Sequence, residues 1–170
     1  MMRFLNFMLK NNIGNVTVVD RILEMVSLVL AVFLITLSVV FYFYLPEQVP
    51  VHFNVVGEAD GWGSKRIALI LSVFGIVVMA ICSIAAYNYK MVNLPFRLNP
   101  ENLSQQVTLI GRMMRILSVL CGLLFITILS MVAAPQWGIQ SICSLLYLII
   151  IVCLVVVLTI YVVLIYKRGR

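Results

Sequence analysis

The sequence predicts an all-α integral membrane protein: four transmembrane helices, both termini in the cytoplasm, and a short ordered extracytoplasmic loop after the first helix. Three observations lead there. The 170 residues are 64% hydrophobic and only 11% charged, with a mean hydropathy of +1.14; that leaves too little polar surface to cover a water-soluble globule. Four apolar runs, at residues 22–44, 67–87, 116–134 and 139–166, each reach the about 19 residues that cross ~30 Å of hydrocarbon. Of the 12 Lys and Arg residues, all but Lys65 and Arg66 fall on one side if the amino terminus is inside, as the positive-inside rule requires.

Each element follows from its own residues. Residues 1–10 are apolar between Arg3 and Lys10, too short to span, and are expected at the interface. They lack a small-residue cleavage site, so no cleavage is expected. In the first run Glu24 is the lone charge, three residues after Arg21; a local pair at the interface is the expectation. In the loop at residues 88–111, Asn99-Pro100-Glu101 reads as an N-cap, a proline at the first helical position and an acid at the positive helix end. The following segment, with Val107, Ile110, Met114 and Leu117 at helical spacing, either lies along the interface or extends the third span. Tyr42, Tyr44, Trp62, Tyr87, Tyr89, Trp137, Tyr161 and Tyr166 sit near span ends, where amphipathic rings favour the headgroup layer. The domain organisation is an amino-terminal segment at 1–21, two spans with their loop at 22–89, a cytoplasmic loop and polar helix at 90–115, and two further spans at 116–170.

The net charge of +6 does not imply nucleic acid, because the basic residues are dispersed at the ends of apolar runs rather than clustered in a stripe that tracks phosphates. Cys82, Cys121, Cys143 and Cys153 all lie inside apolar runs without C-x-x-C pairing; they read as packing residues, and neither metal nor cofactor is expected. Ser118-x-x-x-Gly122 and Ala68-x-x-x-Ser72 read as close helix contacts.

The loop at residues 45–65 is not generic. Val49, Val51, Phe53 and Val55 alternate with Pro50, His52 and Asn54, which in an extended chain makes one apolar and one polar face. Gly57, Gly61 and Gly63 permit positive φ, and Asp60-Gly61 is a favoured turn pair, so the chain is expected to reverse there. Ser64 is the expected cap of the second helix. Glu58 and Asp60 are the expected partners of Lys65 and Arg66, whose charge opposes the dipole at that helix start.

Leu45-Pro46-x-x-Val49-Pro50-x-His52-Phe53-Asn54-x-x-Gly57-x-x-Asp60-Gly61-Trp62-Gly63-Ser64-Lys65, directly after a transmembrane helix, resembles the signature of domain of unknown function 1648. That domain opens the SdpI family of bacterial membrane proteins, and this chain looks like a short, four-helix form. The resemblance covers residues 22–87 well and residues 94–115 more weakly. It implies a multi-pass protein of the bacterial cytoplasmic membrane, acting in immunity to a peptide toxin or in signalling through a transcriptional regulator held at the membrane. The signature loop then supplies the ligand-binding or structural residues Pro46, Pro50, His52, Phe53, Asn54, Gly57, Asp60, Gly61, Gly63, Ser64 and Lys65. Arg97, Arg112 and Arg115 supply a cytoplasmic basic surface for a regulator or anionic lipid.

Two other classes compete. A membrane enzyme or metal site would use His52, Asn54, Glu58 and Asp60, but the chain has one histidine and no nucleophile and base at a recognisable spacing. The expectation is therefore that it is not an enzyme and that His52 is satisfied by backbone or by Asp60. A small transporter subunit would need intramembrane charge or broken spans, and Glu24 is the sole candidate. Monomer and dimer are both compatible with four spans.

Overall fold

The computed structural model describes residues 14–54 and 58–170. Four helices, each long and apolar enough to cross a membrane, form a bundle: α1 (Val18–Tyr44), α2 (Ile67–Ala85), α3 (Leu103–Trp137) and α4 (Gln140–Arg168). An antiparallel hairpin, β1 (Gln48–Phe53) and β2 (Ala59–Ser64), joins α1 to α2. The interfacial segment expected at residues 1–10 lies outside the described residues. With four spans, the described ends of the chain share one end of the bundle and the hairpin occupies the other.

Helix α1 begins four residues before the apolar run. Thr17 Oγ1 accepts the Asp20 amide at 3.4 Å while the Asp20 carboxylate accepts the Thr17 amide at 2.8 Å, a reciprocal capping box. At the other end Pro46 forces Leu45 to an extended φ of −80° and ψ of 150°, which stops the helix. The buried residues Asp20, Ser27, Leu34 and Phe41 recur every seventh position, the repeat that keeps one seam facing a neighbour. That neighbour is α3, which runs parallel to α1.

Helix α3 is continuous over 35 residues, so the segment at 103–115 extends the third span. Asn99 Oδ1 accepts the Glu101 amide at 3.0 Å, as the cap reading requires, and a single 3₁₀ turn, Pro100–Asn102, leads into the helix. The apolar face here does not meet the interface because it is already covered: Ile110 and Met113 pack with Ile165 of α4 and with Val92, Leu94 and Phe96 of the preceding loop. At the far end Gly138 takes φ 66°, the left-handed conformation that favours glycine at a helix terminus, and α4 returns at once antiparallel.

The interior is held by small residues and hydroxyls. Ser27 Oγ and Ser118 Oγ are 2.6 Å apart, and Ser118 Oγ donates to the Met79 carbonyl at 3.2 Å, linking α1, α2 and α3 at one level. Gly122 lies under Met79, and Gly75 lies between Leu34 and Phe125; such residues let helices approach where lipid supplies no hydrophobic drive for association. Ala68 and Ser72 are buried as the spacing predicts. Helix α4 docks chiefly on α3 and buries only Cys143 and Ile165. Its end is clamped by a relay: the Asn99 amide donates to Gln106 Oε1 at 2.9 Å, Gln106 Nε2 to the Ile165 carbonyl at 3.1 Å, and Asn99 Nδ2 to the Gly169 carbonyl at 2.9 Å.

A Cβ at Gly75 would lie 2.8 Å from both Leu34 Cδ2 and Phe125 Cγ. Gly75→Leu is expected to destabilise the bundle by about 1–3 kcal/mol through overpacking, seen as earlier unfolding in a denaturing-detergent titration. Val73→Leu, on the exposed face of the same helix, should change stability by less than about 0.5 kcal/mol.

Candidate functional site

The signature residues assemble into the hairpin. The residue partners Gln48 with Ser64, Val49 with Gly63, Pro50 with Trp62, His52 with Gly61 and Phe53 with Ala59 leave Val51 and Asp60 without direct partners, so each strand carries a bulge. The simple alternation expected along residues 49–55 is thereby broken: Val49 and Pro50 are both buried and Val51 is exposed. Proline at position 50 has no amide to donate, which suits an edge strand beside a bulge. Val55 and Gly57 lie outside the described residues.

The reversal falls between Asn54 and Glu58 rather than at Asp60-Gly61. Asn54 closes it: its amide donates to the Glu58 carbonyl, and its Oδ1 accepts the Glu58 amide, both at 2.9 Å. Asp60 and Gly61 belong to β2, and among the described residues only Gly138 has a positive φ. Gly61 and Gly63 are needed for a different reason, close cross-strand approach. A Cβ on Gly61 would sit 2.9 Å from His52 Cβ, and one on Gly63 would sit 3.0 Å from Val51 Cγ1.

His52 takes Asp60, one of its two expected partners, whereas Lys65 pairs elsewhere. His52 Nδ1 and Asp60 Oδ1 are 2.5 Å apart, so Asp60 is the partner of His52. Lys65 Nζ binds Glu47 Oε1 at 2.9 Å and lies 5.4 Å from the Tyr42 ring centroid, an ion pair with a cation–π contact; neither Glu58 nor Asp60 is its partner. Ser64 Oγ accepts the Arg66 amide at 3.4 Å but gives no side-chain cap to α2. Val49, 1% exposed, anchors the hairpin in the cluster of Leu34, Phe41, Ala68, Leu129 and Val132. Phe53 packs against the cluster of Met131, Ala134 and Cys143.

Below the hairpin lies a cavity of about 610 Å³ bounded by α2, α3 and α4. Val51, His52, Phe53 and Asn54 face it from above, so the signature histidine and asparagine stand at the polar rim of an apolar space.

At the opposite end two ion pairs join α1 to α3. Arg112 Nε donates to Asp20 Oδ1 at 3.1 Å, and Arg115 Nε donates to Glu24 Oε1 at 2.7 Å. Glu24 also accepts from the Tyr87 hydroxyl, and the Arg115 guanidinium lies 4.8 Å from the Tyr87 ring centroid. Burial, with Glu24 close by, pushes the Tyr87 phenol above its ordinary value, keeping it a neutral donor. This corrects two expectations. Glu24 is not paired with Arg21, which is exposed; its partner lies 91 residues away in sequence. Arg115 is 4% exposed and Arg112 is committed to Asp20, so neither forms an open basic surface. The exposed cations at this end are Arg21, Lys90, Arg97, Lys167, Arg168 and Arg170.

Residues 29–77 match the profile of the family described as Domain of unknown function (DUF1648). The chain carries a DUF1648 domain. No curated protein and no solved structure shows a match to it. The DUF1648 match runs from within α1, through the whole hairpin, into α2. Together with the four apolar helices, it makes the chain a multi-pass membrane protein whose matched region includes the hairpin and α2 walls of the cavity but not its α3 and α4 walls or the Arg112 and Arg115 pairs. Among the described residues, no three His, Cys, Asp or Glu side chains are grouped to hold a metal ion.

Glu24→Gln strands the buried Arg115 guanidinium and is expected to cost about 3–5 kcal/mol. Adding Arg115→Met should restore most of that loss, and Arg21→Ala should cost less than about 0.5 kcal/mol. A double-mutant cycle read by detergent unfolding checks the assignment; equal losses for Arg21→Ala and Glu24→Gln would refute it.

Proposed function

We propose that the protein is a non-enzymatic immunity or signalling protein of the bacterial cytoplasmic membrane, SdpI-like in type. Its hairpin meets a peptide toxin or another envelope ligand. Its opposite, cytoplasmic end meets a partner such as a transcriptional regulator. The observation that carries this reading is the hairpin: a segment of only moderate length is fixed by the His52–Asp60, Asn54–Glu58 and Lys65–Glu47 contacts while leaving His52, Glu58 and Trp62 exposed. An ordered loop with exposed polar and aromatic groups is the usual form of a recognition element on a rigid scaffold. The Asp60 contact holds the His52 ring in one orientation at the hairpin surface.

The orientation follows from charge. Lys90, Arg97, Lys167 and Arg168 are exposed at the end away from the hairpin, and such an excess marks the cytoplasmic side. The same cations offer a surface for a regulator or for anionic lipid.

In a cysteine-free background, Ala59→Cys is expected to react with a membrane-impermeant maleimide added to intact cells, and Asn102→Cys only after permeabilisation. The reverse pattern would invert the topology.

Deleting the gene should sensitise cells to a toxin made by siblings, or alter expression of neighbouring genes under envelope stress. Complementation by the wild type should restore the phenotype, and Trp62→Ala, at an exposed hairpin position, should restore it poorly. Unchanged survival and unchanged expression on deletion would remove the proposal.

A further inference from the structure

The cavity beneath the hairpin has a composition and a position that name its occupant. Its walls are apolar, with Leu71 from α2, Met131 and Val132 from α3, and Leu145 and Leu148 from α4. Leu145 and Leu148 are each 59% exposed, and α2 and α4 share no packed seam. The space therefore opens sideways between these two helices, on the surface that faces hydrocarbon. Polar groups lie mainly at the hairpin rim, where His52 and Asn54 face the cavity. Deeper in, the Ser144 hydroxyl donates to the Gln140 carbonyl at 3.0 Å, so its proton is already used within α4.

An occupant of such a space must be hydrocarbon along its length and polar at one end. A peptide would bring an amide and a carbonyl with every residue into walls that offer them few partners, each unpaired group costing about 1–3 kcal/mol. Water gains little in an apolar space, and an empty one forfeits dispersion contacts on every wall. The adjoining bilayer supplies acyl chains at high concentration. We propose that the cavity binds one acyl chain of a membrane phospholipid, inserted between α2 and α4, with the headgroup region held at the hairpin by His52. Asp60 engages His52 at Nδ1, which leaves Nε2 as the ring atom for the headgroup. This site is independent of the immunity or signalling reading, since a resident lipid requires neither toxin nor regulator.

The test uses the full chain in dodecyl maltoside micelles, to which phosphatidylcholine carrying a mid-chain diazirine is added in graded amounts. After irradiation, adducts are mapped by peptide mass spectrometry. Adducts at Leu71, Met131 and Leu148 should saturate as the amount of labelled lipid rises, whereas adducts on the exposed faces at Val29 and Val155 should rise in proportion to it. Leu71→Trp combined with Ser144→Trp, which fills the cavity, should lower the cavity adducts by about tenfold and leave the others unchanged. Proportional labelling at every position, or undiminished labelling in a folded filled variant, would overturn the proposal. So would displacement of the cavity adducts by a synthetic hydrophobic peptide that crosslinks to the same residues. The wild-type saturation curve decides the matter even where the double variant does not fold.

Discussion

The seam between α1 and α3 governs the rest of the structure. On α1 the seam residues Asp20, Glu24, Ser27, Leu34, Ser38 and Phe41 are spaced by threes, fours and sevens. They meet Arg112, Arg115 and Ser118 at the end away from the hairpin, and Leu129 and Ala133 toward it. A seam of leucines alone would be as well solvated by lipid as by another helix, so it would specify neither register nor partner. Carboxylates opposite guanidiniums, followed by serine opposite serine, admit one register, because a shift leaves a charge unpaired in a low dielectric. This register sets which residues of α3 lie under the hairpin.

From that alignment the hairpin acquires its floor. Val49 enters the cluster formed by Leu34 and Phe41 of α1 with Leu129 and Val132 of α3, and Phe53 reaches the neighbouring cluster of Met131 and Ala134 on the same helix. The two bulges turn Val51 toward the cavity and bring Asp60 to His52. Helix α4 then leans chiefly on α3, fixed at one end by Asn99 and Gln106 and at the other by the short Gly138 connection. Because it does not close against α2, the bundle keeps a lateral gap at the hairpin end. The polar exposed face of the hairpin and the apolar cavity are therefore the upper and lower sides of one piece of structure.

The signature region shows how far local patterns reach. An extended segment after the first span and a reversal before the second helix were legible, since each depends on backbone preferences of neighbouring residues. The Asp60-Gly61 turn was not what formed. Its dipeptide preference lost to cross-strand packing, in which Gly61 serves as the space beneath His52. Glu24 shows the same limit. Arg21 is its near neighbour in sequence, yet a side chain on the outer face cannot reach the seam that Glu24 joins. A signal for the correct pairing was present in the matched spacing of Asp20 and Glu24 against Arg112 and Arg115, one acid or base per turn on two helices expected to run parallel.

By itself the sequence determined the number of spans, their approximate ends, the cap at Asn99, the small-residue contacts and the presence of a specialised loop carrying His52 and Asp60. These depend on composition, on periodicity and on residues a few positions apart. Only the tertiary structure decided that the polar segment at 103–115 is the start of α3, that Arg112 and Arg115 are interhelical anchors rather than a basic surface, and that a cavity opens below the hairpin. Those outcomes depend on which helix faces which, a choice made by burial of charge and by packing between residues far apart in the chain.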